Sequence, residues 1–120
     1  MMKKVAIVDD NKVNLNLYRQ YLKDKYEVEI YSGGNEFLAS LHEPELTPDV
    51  VILDVMMPDI SGYEVCRRIK TSDRYRHIKV FICTALKSEF DIEKAADVMA
   101  DDYIVKPVKS KDLSDPLASL

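Results

Sequence analysis

The sequence predicts an α/β protein: a flavodoxin-like (βα)5 three-layer sandwich with a five-stranded parallel sheet of order 2-1-3-4-5. Three observations predict it. Strand-like and helix-like stretches alternate along the 120 residues, five of each, with short links between them. Three of the strand candidates are apolar throughout, as a strand covered by helices on both faces must be. Four of the five strands are followed directly by polar or charged residues, which an open parallel sheet gathers in one crevice at its carboxyl edge.

The first strand candidate is Val5–Val8, followed by Asp9-Asp10. Asn11 suits the N-cap of a helix that carries Leu15, Tyr18 and Leu22 on one face. The second candidate, Tyr26–Tyr31, alternates Glu27 and Glu29 with Val28 and Ile30, the pattern of an edge strand with one wet face. The third, Val50–Leu53, runs into Asp54. A helix with Val65, Cys66 and Ile69 follows Gly62. The fourth strand, Lys79–Cys83, leads to Thr84. The next helix opens with Ser88-Glu89-Phe90-Asp91, close to a capping box with Asp in place of Glu. The fifth strand, Asp102–Val105, ends at Lys106.

Composition bounds the function. Residues 1–120 suit one domain, large enough to bury a core without disulfides or a structural metal. Apolar residues are 47% and charged residues 32%, ordinary for a soluble protein, and no apolar run is long enough to cross a bilayer. The start, Met1-Met2-Lys3-Lys4, lacks the pattern of a signal peptide. Cys66 and Cys83 form no CxxC pair, so neither a disulfide framework nor a zinc site is expected. These points favour the cytoplasm and no membrane association. The net charge of −4 argues against direct nucleic-acid binding. The basic run of Arg67, Arg68, Lys70, Arg74, Arg76 and Lys79 reads as a solvated helix face and loop.

The strand ends carry chemistry. Asp9, Asp10 and Asp54 converge in the predicted crevice, and three such carboxylates cannot all stay ionised without a counter-charge. Mg²⁺ meets that need, since it prefers carboxylate and carbonyl oxygens and keeps several waters. Lys106 adds a compact positive charge suited to a phosphate oxygen, and Thr84 adds a hydroxyl donor. Asp54 stands alone at the central strand and is the better nucleophile, leaving Asp9 and Asp10 for the metal. A carboxylate attacking phosphorus in line gives an aspartyl phosphate.

Val8-Asp9-Asp10-Asn11, the stretch from Asp54 to Gly62, Thr84-Ala85 and the stretch from Asp101 to Pro107 together resemble the receiver (CheY-like) domains of bacterial two-component response regulators. The resemblance covers essentially the whole chain. It implies that Asp54 is the phosphoacceptor, that Asp10 binds Mg²⁺ directly with Asp9 acting mainly through water, and that the Met56 backbone carbonyl completes the protein ligands. Thr84 and Lys106 would grip the phosphoryl oxygens, and Tyr103 matches the switch aromatic. The surface of the fourth helix, fifth strand and fifth helix would change on phosphorylation, and dimerisation could use it. A cis Lys106-Pro107 bond is implied as well. The phosphoryl donor would be a histidine kinase or histidine phosphotransfer protein, and the receiver of the signal an output domain or a target protein. The chain would be a stand-alone protein or the N-terminal part of a longer regulator.

Met99 stands where the family usually has Gly, and a left-handed helix end there would be strained, so the fourth helix is expected to end differently. Pro116 falls inside the expected fifth helix; either it interrupts that helix or Asp115-Pro116 opens a short one. Met56 and Leu86, both bulky and apolar, flank the water approach to a phosphorylated Asp54, which predicts slow autodephosphorylation. A receiver-like interaction module that is never phosphorylated is the alternative. A phosphatase of the haloacid dehalogenase type would need an acidic residue where Met56 stands, and a flavodoxin would need a flavin-phosphate loop.

Overall fold

The computed structural model describes residues 2–85 and 89–120. Ser88 and Leu86 therefore lie outside the described residues, and with them the capping box and half of the water-shielding pair.

Five parallel strands form one sheet: β1 (Lys4–Val8), β2 (Glu27–Tyr31), β3 (Val50–Asp54), β4 (Lys79–Thr84) and β5 (Asp102–Val105). Their order is β2-β1-β3-β4-β5, as the sequence predicts. The helices are α1 (Lys12–Leu22), α2 (Gly34–Ser40), α3 (Gly62–Lys70), α4 (Glu89–Asp97) and α5 (Ser110–Ala118), with a 3₁₀ turn at Pro44–Leu46.

Burial explains the strand compositions. All of β3 is buried, and so is β4 after Lys79. On β2 the two glutamates are exposed between half-buried Val28 and Ile30. Alternate side chains feed two cores. Ala6, Val8, Val51, Leu53, Val80 and Ile82 pack under α2, α3 and α4, against Phe37, Val65, Ile69 and Ala95. Val5, Ile7, Val50, Ile52, Phe81 and Cys83 pack under α1 and α5, against Leu15, Tyr18, Leu113 and Leu117.

Local chemistry sets the helix ends. Asn11 caps α1, its side-chain oxygen accepting from Val13 N–H at 2.9 Å and Asn14 N–H at 3.2 Å. Ser61 caps α3 through Glu64 N–H at 3.2 Å. The fourth helix keeps the ending that a glycine would have given, contrary to expectation. Met99 takes φ 64°, Ala100 N–H bonds the Ala95 carbonyl at 3.0 Å and Met99 N–H bonds the Ala96 carbonyl at 2.9 Å. This is a Schellman pattern with a strained non-glycine residue at its left-handed position. Pro116 lies within α5, so the short-helix alternative does not hold. The helix starts well before it because the Asp112 carboxylate accepts Lys109 N–H at 2.8 Å. The Asp112 carbonyl then has no N–H to receive from position 116.

The basic run is engaged within the chain. Arg67 and Arg68 pair with Glu64, Lys70 with Asp101, Arg76 with Asp73, and Arg74 lies over the Tyr75 ring. Among the described residues, no helix is long and apolar enough to cross a membrane.

Candidate functional site

The carboxyl ends of β1, β3, β4 and β5 lie along one edge of the sheet, and each delivers a residue singled out from the sequence. Asp9 follows β1 and is 1% exposed, Asp54 closes β3 at 6%, and Thr84 closes β4 at 1%. Asp10, one place beyond Asp9, is exposed. One carboxylate oxygen from each of Asp9, Asp10 and Asp54 lies within 4.8 Å of the others.

Lys106, directly after β5, reaches across the edge. Its Nζ donates to Asp54 Oδ1 at 3.0 Å and to Asp9 Oδ2 at 3.3 Å. Its backbone N–H bonds the Thr84 carbonyl at 2.8 Å, and the peptide bond to Pro107 is cis. Burial raises the Asp54 pKa above its ordinary value and the Asp9 charge adds to this, while Lys106 pulls the other way. Burial works against the Lys106 ammonium, but its bonds and attraction to Asp54 and Asp9 outweigh that, and its pKa is raised.

Among the described residues, three carboxylates thus face one ammonium. The donor set is oxygen-only, partly buried and short of positive charge, which fits a hard divalent cation such as Mg²⁺. Thiol chemistry does not fit. Cys83 is the register partner of Asp54, but burial pushes its thiol up to about 12. Burial does the same to Cys66, whose Sγ donates to the Val98 carbonyl at 3.3 Å.

Met56 lies in the irregular β3–α3 connection, residues 55–61. Its side chain is 68% exposed and rims a cleft of ≈ 530 Å³ with Asp10, Pro58, Phe90 and Lys94. The side chain therefore stands out in solvent beside the acidic cluster instead of packing down at its rim. Tyr103 is half-buried on β5, and burial, then Tyr63 and Asp91, push its hydroxyl up to about 12. Tyr63 on α3 donates to the Asp91 carbonyl at 3.4 Å and carries Lys94 Nζ 5.1 Å from its ring centre, so it joins α3 to α4.

Sequence reasoning missed two contributors. Asn14 Nδ2 donates to Asp9 Oδ2 at 3.2 Å while Asn11 N–H donates to Asp9 Oδ1 at 2.9 Å, so the first turn of α1 orients that carboxylate. The Asn11 contact is made by a backbone amide and carries no sequence signal, and the only one available was an amide side chain at Asn14 in the first turn after Asp9. Gly62 is the other. A Cβ there would collide with the Asp54 carbonyl, and its N–H donates to the Val55 carbonyl at 2.9 Å. Only glycine lets α3 begin directly on the backbone of the buried aspartate.

Residues 5–118 match the family model described as the response regulator receiver domain. The transcriptional regulatory protein AfsQ1 of Streptomyces coelicolor is 34% identical over 107 residues, which are 89% of this chain and 45% of that protein. The chain thus spans about half the length of the curated relative it matches. Among solved structures, the BeF3-activated receiver domain of DrrB, a response regulator of Thermotoga maritima, superposes with a TM-score of 0.88 at 35% identity, covering 99% of this chain and 97% of that one. The chemotaxis response regulator CheY4 of Vibrio cholerae gives 0.90 at 29% identity, covering 99% and 98%.

Proposed function

The chain belongs to the response regulator receiver family, whose domains are phosphoacceptor switches, and on that premise we propose that Asp54 takes the phosphoryl group here. The observation that carries this reading is the cluster itself: a buried aspartate, flanked by two more, with the Lys106 ammonium 3.0 Å from its Oδ1.

Asp9, Asp10 and Asp54, with the Met56 carbonyl, would hold Mg²⁺, which neutralises charge on the oxygens of the phosphoryl group in transfer. Asp54 supplies the attacking carboxylate oxygen. As its new bond to phosphorus forms, the bond from phosphorus to the donor breaks and the electron pair leaves with the donor atom. Lys106 loses its hold on Asp54 and turns to a phosphoryl oxygen, and Thr84 donates its hydroxyl to another. Tyr103 then changes its position between the cores and the α4–β5–α5 surface, a two-state element biased by local charge.

The donor in this reading is a phosphohistidine on a kinase or phosphotransfer protein in the cytoplasm. The signal passes to an output domain or target protein, and α4–β5–α5 is the face on which two copies would pair. AfsQ1 is named as a transcriptional regulatory protein, which supports an output in gene control, and the net charge of −4 supports the absence of direct nucleic-acid binding by this part of the chain. The exposed apolar Met56 cannot orient a water by hydrogen bonding, which supports slow loss of the phosphoryl group.

The test is incubation with Mg²⁺ and acetyl phosphate, followed by mass spectrometry. One phosphoryl group should appear on the unaltered chain and none on Asp54→Asn. Equal labelling of that variant would assign the chemistry to another residue.

A further inference from the structure

The segment between β3 and α3, residues 55–61, is irregular, yet it carries the carbonyl that the metal reading needs. At its α3 end the segment is fixed by Gly62. In its middle it is fixed by Asp59. The Asp59 carboxylate accepts Asn35 N–H at 2.9 Å through Oδ2 and Gly34 N–H at 3.4 Å through Oδ1, both in the first turn of α2. The N-cap of α2, Gly33, makes no side-chain cap bond of its own. Asp59 therefore caps α2 from another part of the chain, and the amides hold its pKa below its ordinary value, Asn35 most. The approach is close. A Cβ on Gly33 would stand 2.9 Å from Asp59 Oδ2, and one on Gly34 would collide with Ile60. Pro58, stiff in φ, lies between Asp59 and the Met56-Met57 stretch.

We propose that Asp59 is a positioning residue for the metal site: by tying residues 55–61 to the first turn of α2, it sets where the Met56 carbonyl stands relative to Asp54. Asp59 touches neither metal nor phosphoryl group in this account. The inference rests on the reading of Asp9, Asp10 and Asp54 as a Mg²⁺ site.

Two substitutions disturb the tie from opposite sides. Asp59→Ala removes the carboxylate. Gly33→Ala leaves it in place and crowds it, at a position whose extended backbone (φ −163°) any residue adopts. Asp59→Asn keeps an oxygen able to accept from Asn35 N–H and serves as the conservative rescue. Mg²⁺ titration of the whole chain, followed by calorimetry and by the amide shifts of residues 54–57, reads the site without any phosphoryl transfer. Asp10→Ala serves as the reference for loss of a ligand.

Asp59→Ala and Gly33→Ala should each raise the Mg²⁺ Kd about three- to ten-fold, less than the 10–100-fold seen for partners that touch a ligand directly. Asp59→Asn should recover part of that loss. At saturating Mg²⁺ the rate of phosphorylation by acetyl phosphate should stay within about two-fold of the unaltered chain, a split that a general loss of folding would not give. A Kd unchanged in both alanine variants, with Asp10→Ala weakened, would overturn the role of Asp59 and leave the metal reading standing. If Asp10→Ala and the unaltered chain bound Mg²⁺ alike, the metal reading would fall and this inference with it.

Discussion

Lys106 Nζ stands 3.0 Å from Asp54 Oδ1 and 3.3 Å from Asp9 Oδ2, so one ammonium serves two buried carboxylates while Asp10 faces solvent. Among the described residues the arrangement is under-neutralised, and that makes it both receptive to a cation and a burden on the fold when none is bound.

The burden is measurable through pH. Burial and Asp9 raise the Asp54 pKa above its ordinary value, so between the ordinary carboxylate value and the raised one the folded protein binds more proton than the unfolded chain. Stability due to that proton is fully present below the unfolded-state pKa and is lost as pH rises through the folded-state pKa. In chelator at neutral pH, Asp54→Asn should therefore be the more stable protein and melt at the higher temperature. The advantage should shrink as pH is lowered toward the ordinary carboxylate range, and when Mg²⁺ is added. Thermal melts across pH check this, and equal melting of the two proteins at neutral pH would contradict it.

Met99 carries backbone strain with little return from its side chain, which is 52% exposed. Met99→Gly should relieve the left-handed penalty and keep the Schellman bonds. After the entropy that glycine adds to the unfolded chain, a gain of about 0.5–1 kcal/mol is expected in urea denaturation. A loss of stability would mean that the Met99 side chain holds the end of α4 in a way its exposure conceals.

The switch surface has its own test. Beryllofluoride with Mg²⁺ should move amide resonances most between Thr84 and Val108, where α4 and β5 follow the site. Residues of α3 should move little, since Gly62 seats that helix on the Asp54 backbone. Shifts concentrated in α2 would refute the assignment.

Phosphoryl lifetime depends on whether a water can be held in line with the phosphorus. Met56 is the described member of the pair proposed to flank this approach, and its apolar side chain offers no hydrogen bond. Supplying polar groups with Met56→Asn and Leu86→Glu should speed phosphate loss about ten-fold or more, roughly 1–2 kcal/mol of barrier. An unchanged or slower decay would remove these side chains from control of water access.

The acidic cluster was legible in the sequence because Asp9, Asp54, Thr84 and Lys106 each sit at or immediately past a strand end. In a parallel sheet, position along the chain then becomes position along one edge. The Asp59 tie was not legible. It spans 24 and 25 residues and depends on how the first turn of α2 faces the β3–α3 segment, which no local pattern encodes. Met99 and Pro116 mark the limit in another way. Local propensity identified both as costly, and for Met99 the structure bears out the strain. Propensity could not foresee that both helices would keep their course, because the packing of Ala95 on one core and of Leu113 and Leu117 on the other outweighs a local penalty.

The seat of Gly62 against the Asp54 carbonyl divides the molecule into unequal halves. On one side the nucleophile, its strand and α3 form a single stiff frame, tolerant of almost no change at that contact. On the other, α4 meets the frame through Ala95 in the shared core and, at the surface, through a 3.4 Å phenol bond and an ammonium above a ring, surface attachments that other side chains could replace. Substitutions on the outer face of α4 should therefore be tolerated far better than any at Gly62. Diversity among such regulators should collect in α4 and its neighbours, and almost none of it where α3 begins.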